Sequence, residues 1–142
     1  MPQILVVLQN AYATTAYRRA QLRKPDVWAC GLWASHTGRR LTSMLPAGCT
    51  VRVINASPRI GKRSSDCFPP EPEHIRAEIE KHRPSVILAC GKQAQAGLEA
   101  LGLPHISAPH PAWRQLSNEH ASEVRQEVEH ALESAADWQG QD

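Results

Sequence analysis

The chain has 142 residues, of which 42% are hydrophobic and 21% charged, with a formal net charge of +2. This composition is typical of one ordinary globular domain, and it excludes a disordered tail, a collagen-like fibre and a polymer of like charges. No apolar stretch approaches the roughly 20 residues of a membrane-spanning helix, and the run at 4–8 is too short for a signal peptide. We therefore expect an intracellular, cytoplasmic protein without a membrane partner, and a monomer.

Apolar runs of β-forming residues alternate with helical patterns along the chain. In chain order, the sequence predicts a strand at 4–8, a helix at 37–45, a strand at 51–54, a helix at 72–83, a strand at 85–90, a helix at 91–101, a strand at 104–107 and a helix at 118–136. Strands alternating with helices are typical of an α/β domain with a mostly parallel sheet. We predict one α/β domain over residues 1–142, with a central four-stranded sheet, and expect residues 137–142 to fray.

Positive charge is concentrated in the first half of the chain. Residues 1–66 have a net charge of +8, whereas residues 67–142 have a net charge of −6. A basic half favours a surface that binds a polyanion. The alternative is a bipolar, solvated surface with no partner, and charge alone does not separate the two.

Polar residues follow each predicted strand. They lie in the segments 9–12, 55–57, 91–93 and 109–112. In a parallel sheet, ligands bind beyond the carboxyl ends of the strands. Amides and an imidazole at that edge suit a flat heterocycle that needs both hydrogen-bond donors and acceptors, although Asn residues at strand ends commonly serve only as turn residues.

Five segments, taken in order, resemble motifs of the uracil-DNA glycosylase superfamily. Residues 8–12 (L-Q-N-A-Y) resemble G-Q-D-P-Y, and residues 33–41 (W-A-S-H-T-G-R-R-L) resemble the F-V-G-x-A-G-x-L segment of the iron–sulfur branch. Residues 54–57 (I-N-A-S) resemble the base-reading strand, and residues 84–98 resemble the P-x-V-I run before the last strand. Residues 110–112 (H-P-A) resemble the H-P-S or H-P-A motif. The resemblance implies a three-layer α/β/α fold like that of this superfamily.

The resemblance also implies an activity and two catalytic residues. The protein would be a monofunctional DNA glycosylase that flips uracil, or a related modified pyrimidine, out of the DNA and hydrolyses its N-glycosidic bond. Asn10 would hold the attacking water through its side-chain carbonyl. His110 would donate a hydrogen bond to O2 of the base as negative charge develops there.

Four residues would bind the flipped base, again by resemblance. Asn55 would pair with O4 and N3–H of uracil and select against cytosine, and Gln9 would belong to the same pocket. Trp33 would stack on the base, and Tyr12 would stand against C5 and exclude thymine. The alternatives are a core role for Trp33 and a packing role for Tyr12.

The expected DNA-binding residues lie in three places. They are Arg59, Lys62 and Arg63 in the loop after the second strand, the pair Arg39 and Arg40, and Trp113 with Arg114 after the last strand. Basic and small hydroxyl residues suit phosphate contacts. A large apolar side chain beside a cation suits a wedge that fills the vacated base stack, although Trp113 could instead pack against the last helix.

The chain departs from the family pattern at several points. Asn10 replaces an ionised Asp, Leu8 replaces a Gly, and no C-x-x-C pair exists among the four cysteines. We therefore expect no iron–sulfur cluster, no metal and no cofactor. Two other interpretations stay open: a weak or inactive superfamily member that binds DNA or a base without hydrolysis, and a deoxyribosyltransferase-like enzyme, which would need a nucleophilic carboxylate.

Overall fold

A central sheet of four parallel strands organises the protein. The computed structural model describes residues 2–140, with side chains through residue 135. The strands are β1 (Gln3–Leu8), β2 (Thr50–Asn55), β3 (Val86–Cys90) and β4 (Ile106–Ala108), in the order β2-β1-β3-β4. Every pairing is parallel, so the predicted α/β class and parallel sheet are confirmed.

Helices cover both faces of the sheet. They are α1 (Ala16–Leu22), α2 (Pro25–Ala34), α3 (His36–Thr42), α4 (Pro72–His82), α5 (Lys92–Leu101) and α6 (Asn118–Gly140). One core cluster joins the sheet to α2, α3 and α6, and the other joins it to α4 and α5. This arrangement is compatible with a three-layer α/β/α fold.

Strand β1 lies in the middle of both cores. Ile4, Val6 and Leu8 face the cluster on the α6 side, whereas Leu5 and Val7 face the cluster on the α4 side. Residues 4–7 are completely buried. A continuous apolar run is what a parallel strand covered on both faces requires.

Two helices, α1 and α2, were not predicted from the sequence. Neither contains a fully buried residue, so neither shows the clear apolar stripe by which a surface helix is recognised. Their start signals are local: the Thr15 side chain accepts a hydrogen bond from the Arg18 N–H, and Pro25 occupies the first turn of α2. Helix α3 also ends earlier than predicted, at Thr42 rather than at residue 45.

Smaller boundary differences have simple physical reasons. Strand β4 begins at Ile106, after Pro104, whose nitrogen cannot donate a hydrogen bond to the sheet. Helix α4 stops at His82 because Arg83 adopts a left-handed conformation with φ of 47°. Helix α6 continues to Gly140, beyond the predicted end and into the segment expected to fray. Residues 141 and 142 lie outside the described residues.

The helices of residues 2–140 were also compared with the requirements of a membrane span. None of them is long and apolar enough to cross a membrane.

Candidate active site at the carboxyl edge of the sheet

The loop between β2 and α4 folds back onto the carboxyl end of β1. We call residues 57–71 the arm. The Ser57 N–H donates to the Gln9 carbonyl at 3.1 Å, and the Gly61 N–H donates to the Ala11 carbonyl at 2.8 Å. The Ala13 N–H returns a bond to the Gly61 carbonyl at 2.9 Å. The arm is thus held against the segment that follows β1.

Asp66 closes the tip of the arm. Its carboxylate accepts hydrogen bonds from the N–H groups of Lys62 and Arg63 at 2.7 and 3.1 Å. These backbone donors lower the pKa of the Asp66 carboxyl group. A Cβ at Gly61 would lie 2.6 Å from the Asp66 Cβ, so only glycine fits there without a shift. The tight turn leaves the Lys62 and Arg63 side chains exposed.

The Asn10 side chain joins β1 to the arm. Its amide nitrogen donates to the carbonyls of Ala11 and Asp66, each at 3.1 Å. Its amide oxygen accepts a bond from the Phe68 N–H at 3.3 Å. An amide oxygen has two lone pairs, so one of them stays available for a water. A carboxylate at this position would face two carbonyl oxygens, which gives a physical reason for Asn rather than Asp.

His110 lies just beyond β4 in a defined tautomer. Its Nδ1 accepts a hydrogen bond from the Ala112 N–H at 3.0 Å. Because that nitrogen is an acceptor, the proton of the neutral ring is on Nε2. Burial lowers the pKa of His110, which favours this neutral form. His105, before β4, has the opposite tautomer because its Nδ1 bonds to the Leu103 carbonyl at 2.9 Å.

Gly91 allows the His110 ring to lie close to the turn after β3. Gly91 has φ of 90°, and a Cβ there would lie 3.3 Å from the Cβ of His110. The Gly91 N–H also donates to the Ala108 carbonyl at 2.8 Å. A positive φ and a close neighbour together require glycine.

Two depressions flank the carboxyl end of β1. The first, which we call the histidine cavity, has a volume of about 710 Å³, and Gln9, Cys67, Gly91, His110 and Trp113 contribute to its lining. Its lining residues include no Asp or Glu. It therefore presents amide, hydroxyl and imidazole groups and one cation, Lys92, rather than acid pairs.

The second depression, which we call the β2 groove, has a volume of about 590 Å³ and runs along the outer edge of β2. Trp33 and Asn55 both line it, together with Ala11. Trp33 also packs against the core, so the core alternative considered for this residue holds in part. Within residues 2–135 the Asn55 amide makes no hydrogen bond, which leaves its donor and acceptor available.

The predicted base-binding residues are therefore divided between the two depressions. Gln9 lies with His110, and Trp33 lies with Asn55. Asn10 lines neither depression, although Gln9 before it lines the histidine cavity and Ala11 after it lines the β2 groove. Tyr12 lines neither depression, and it is 50% exposed beside the arm, where it pairs with Gly61.

The predicted DNA-binding residues differ in their freedom to contact DNA. Arg39, Lys62, Arg63 and Arg114 are exposed. The exposed Arg59 guanidinium lies 4.4 Å from the centre of the Phe68 ring, which holds it over the arm. Trp113 is 41% exposed, and its ring centre lies 5.6 Å from that of His120 on α6, so the alternative of packing against the last helix holds in part. Arg40 is half-buried and bonds to backbone carbonyls, as described below.

Sequence reasoning missed several residues that shape the site. Asp66 and Phe68 hold the arm, and Gln95 donates to the Ala108 carbonyl at 3.0 Å on the wall of the histidine cavity. Asp66 had a usable signal, because an Asp within a Gly- and Ser-rich segment is typical of a turn-closing residue. The hydrogen bonds between Asn10 and the arm had no signal in the sequence, because they join distant parts of the chain.

The four cysteines lie in different environments. Cys90 is buried in the core, where burial raises its pKa to about 12. Cys30 and Cys67 are exposed, and Cys49 is half-buried. Only Cys67 lines the histidine cavity.

Comparisons with known protein families, with curated proteins and with solved structures find no match for this chain. Its function is therefore argued from the site itself.

Proposed function

We propose that the protein is a monofunctional DNA glycosylase that flips uracil, or a related modified pyrimidine, and hydrolyses its N-glycosidic bond. The observation that supports this most is His110. Its Nδ1 is occupied by a backbone N–H, its ring lines a cavity beyond the carboxyl edge of the sheet, and burial favours its neutral form. A neutral imidazole with a free Nε2–H is a hydrogen-bond donor that carries no formal charge.

Such a donor matches the chemistry of glycosidic bond cleavage. As the bond breaks, the sugar gains positive charge and the base gains negative charge, part of it on O2. The His110 Nε2–H would donate to that oxygen. A preorganised donor aimed at developing charge in a partly dry site is often the largest contribution to catalysis.

Asn10 would position the attacking water. Its amide nitrogen holds the backbone of residues 11 and 66, which fixes the direction of its oxygen. The remaining lone pair of that oxygen would accept a hydrogen bond from the water. An amide cannot take the proton as a carboxylate would, so we expect slow turnover or a preference for bases that leave easily.

The remaining residues would recognise the base and the DNA. The free amide of Asn55 offers the donor and the acceptor that O4 and N3–H of uracil require. Trp33, in the same groove, would stack on the ring. Gln9 and His110 would contact the same base from the histidine cavity, so the base would have to lie across the end of β1, between the two depressions. Tyr12, exposed beside the arm and outside both depressions, would exclude a C5 methyl group.

Binding of DNA by the arm gives a prediction about salt. Changing Arg59, Lys62 and Arg63 together to Ala should reduce the slope of log K against log salt by about two to three units, at ~0.7–0.9 per phosphate contact. Each contact with a phosphate releases condensed counterions, whereas the chemical step does not use these side chains. Fluorescence anisotropy at several salt concentrations measures the slope.

A matched control uses exposed basic residues outside the arm and outside both depressions. Lys24, before α2, Arg76, on α4, and Arg83, directly after α4, meet these conditions, and changing all three removes the same charge. We expect this control to keep the wild-type slope. Equal slopes for the wild type and the arm variant would place the DNA-binding face elsewhere.

The activity itself is tested with a panel of oligonucleotides. Each contains one uracil, one C5-substituted pyrimidine or one cytosine, in single-stranded or duplex form, and abasic sites are detected after a single turnover with excess protein. We expect abasic sites from uracil, fewer from C5-substituted pyrimidines and none from cytosine. Tight binding of the uracil strand without abasic sites would instead identify a binding protein.

That second candidate is favoured by one observation. The Asn10 amide makes three hydrogen bonds to backbone groups, which is what a purely structural residue would do. A deoxyribosyltransferase-like enzyme would need a nucleophilic carboxylate, and the lining of the histidine cavity includes none. Two carboxylates line the β2 groove, but Glu78 bonds to His82 at 3.1 Å and Asp26 is exposed in the first turn of α2, so this enzyme is less well supported.

A further inference from the structure

The segment after β4 is fixed at its base and exposed at its tip. We call residues 110–117 the Trp113 segment. Pro111 is fully buried, whereas Trp113 is 41% exposed and Arg114 is exposed. The Trp113 N–H donates to the His110 carbonyl at 2.9 Å, and the Leu116 N–H donates to the Trp113 carbonyl at 3.1 Å. These bonds make two successive turns that leave Trp113 partly exposed, with one neighbouring ring, that of His120 on α6, 5.6 Å away.

Arg40 reaches this segment from α3. Its Nη2 donates to the Trp113 carbonyl at 2.6 Å and to the Leu116 carbonyl at 3.0 Å. One guanidinium nitrogen therefore joins both ends of the second turn. Hydrogen bonds from a charged donor are shorter and stronger than neutral ones, so this contact defines the conformation of the turn.

The neighbouring arginine behaves differently. Arg39 is exposed and makes no hydrogen bond or ion pair within residues 2–135, whereas Arg40 is half-buried. The two side chains carry the same charge on the same short helix. Of the two, only Arg40 donates hydrogen bonds to the backbone of the Trp113 segment.

We infer that Arg40 is a positioning residue, which holds the Trp113 segment rigid so that the indole enters the duplex when the target nucleotide leaves it. This inference rests on the proposed function and changes the role expected for Arg40, which becomes a support for the wedge rather than a phosphate contact. An inserted apolar side chain must resist the restacking of the bases. A wedge on a loose loop would give way, because small misplacements reduce productive geometry strongly.

A single strand needs no wedge, because no partner strand closes the stack. The test therefore compares duplex and single-stranded forms of one sequence. The variants are Arg40→Ala, Arg40→Lys, Trp113→Ala, the double variant Arg40→Ala/Trp113→Ala and the matched control Arg76→Ala, an exposed arginine on α4 that lines neither depression. The first readout is the fluorescence of 2-aminopurine at saturating protein. The probe lies beside a 2′-fluoro-deoxyuridine, a target nucleotide that resists hydrolysis. The second readout is the single-turnover rate of uracil release from the matching uracil oligonucleotides.

We expect the wild type and Arg76→Ala to unstack the duplex probe, and Arg40→Ala and Trp113→Ala to lose most of that signal. Release from duplex should fall roughly 10–100-fold in both of these variants, with release from the single strand changed less than about twofold. Arg40→Lys should recover part of both signals. The double variant should be no worse than the single ones, because both act on the same wedge.

Different results would contradict the glycosylase activity and the positioning role of Arg40. If the wild type releases uracil from neither strand form, the proposed glycosylase activity is wrong, while the fluorescence still reports on the wedge. If Arg40→Ala unstacks the duplex as well as the wild type does, or the wild type does not unstack it at all, the role of Arg40 is wrong. An equal loss on duplex and single strand would also overturn it, because that pattern indicates general destabilisation.

Discussion

Changing His110 to Ala is expected to slow single-turnover uracil release by about 10²–10³-fold. The variant loses the Nε2–H that would stabilise negative charge on O2 of the base. DNA affinity should change little, because His110 contacts the base rather than the phosphates. Rapid-quench measurement of abasic sites at saturating protein separates the two effects.

His105→Ala is the matched control. This histidine lies at the other end of β4, is half-buried and also bonds to the backbone, but with the opposite ring nitrogen. We expect its release rate to stay within about threefold of the wild type, since any loss of one backbone bond affects stability rather than chemistry. Equal rates for His110→Ala and the wild type would remove His110 from the mechanism.

The lowered pKa of His110 adds a pH dependence. The neutral ring should persist below the ordinary imidazole pKa of 6.5. Protonation keeps the Nε2–H but places a second proton on Nδ1, which then cannot accept the bond from the Ala112 N–H. Release should therefore fall only as the pH drops through the lowered pKa, because the ring loses the bond that orients it. The unfolded chain takes up this proton near pH 6.5 and the folded chain resists it, so this contribution to stability is present above that pH and is lost as the pH falls. Denaturation curves of the wild type and His110→Gln should diverge in this window.

Asn10→Ala is expected to have the second largest effect. It removes three hydrogen bonds between β1 and the arm, so the free energy of unfolding should fall by about 1–3 kcal/mol. Release should slow by roughly 10²-fold, because the water loses its acceptor and the arm loses its anchor. Urea denaturation and single-turnover kinetics measure the two losses, and Asn118→Ala, at the exposed start of α6, is the control.

Asn10→Asp gives the sharper comparison, because it introduces the carboxylate of the G-Q-D-P-Y motif that residues 8–12 resemble. Here the new oxygen would face the carbonyls of Ala11 and Asp66, where the amide nitrogen now donates. We expect lower stability and no increase in rate. A variant that is faster than the wild type would show that the amide does not hold the site in its active geometry.

The sheet could be predicted from the sequence because its signals are local. The continuous apolar run of residues 4–8 predicted a strand covered on both faces, and β1 has that environment. Helices α1 and α2 were missed because their burial is shallow and leaves no strong periodic pattern. The same reasoning applies to α3, which ends at Thr42 although apolar residues continue beyond it.

The site could be predicted only in outline. That polar residues gather beyond the strand ends follows from parallel topology. The tautomer of His110 depends on a backbone N–H two residues away, and the anchoring of Asn10 depends on Asp66, 56 residues distant. The roles of Arg40 and Arg39 look identical in the sequence, and only the fold separates them. Such contacts depend on the tertiary structure, and the spacing of residues in the sequence does not predict them.

A glycosylase of the proposed kind breaks the bond between a pyrimidine and its sugar, so it releases one free base for each abasic site. Both products can be quantified by chromatography in one sample, after incubation of a uracil-containing oligonucleotide with excess protein. We expect equal amounts of free uracil and abasic sites for the wild type and a strongly reduced yield of both for His110→Ala at the same time point. Saturated DNA binding with neither product from the wild type would contradict the proposed activity.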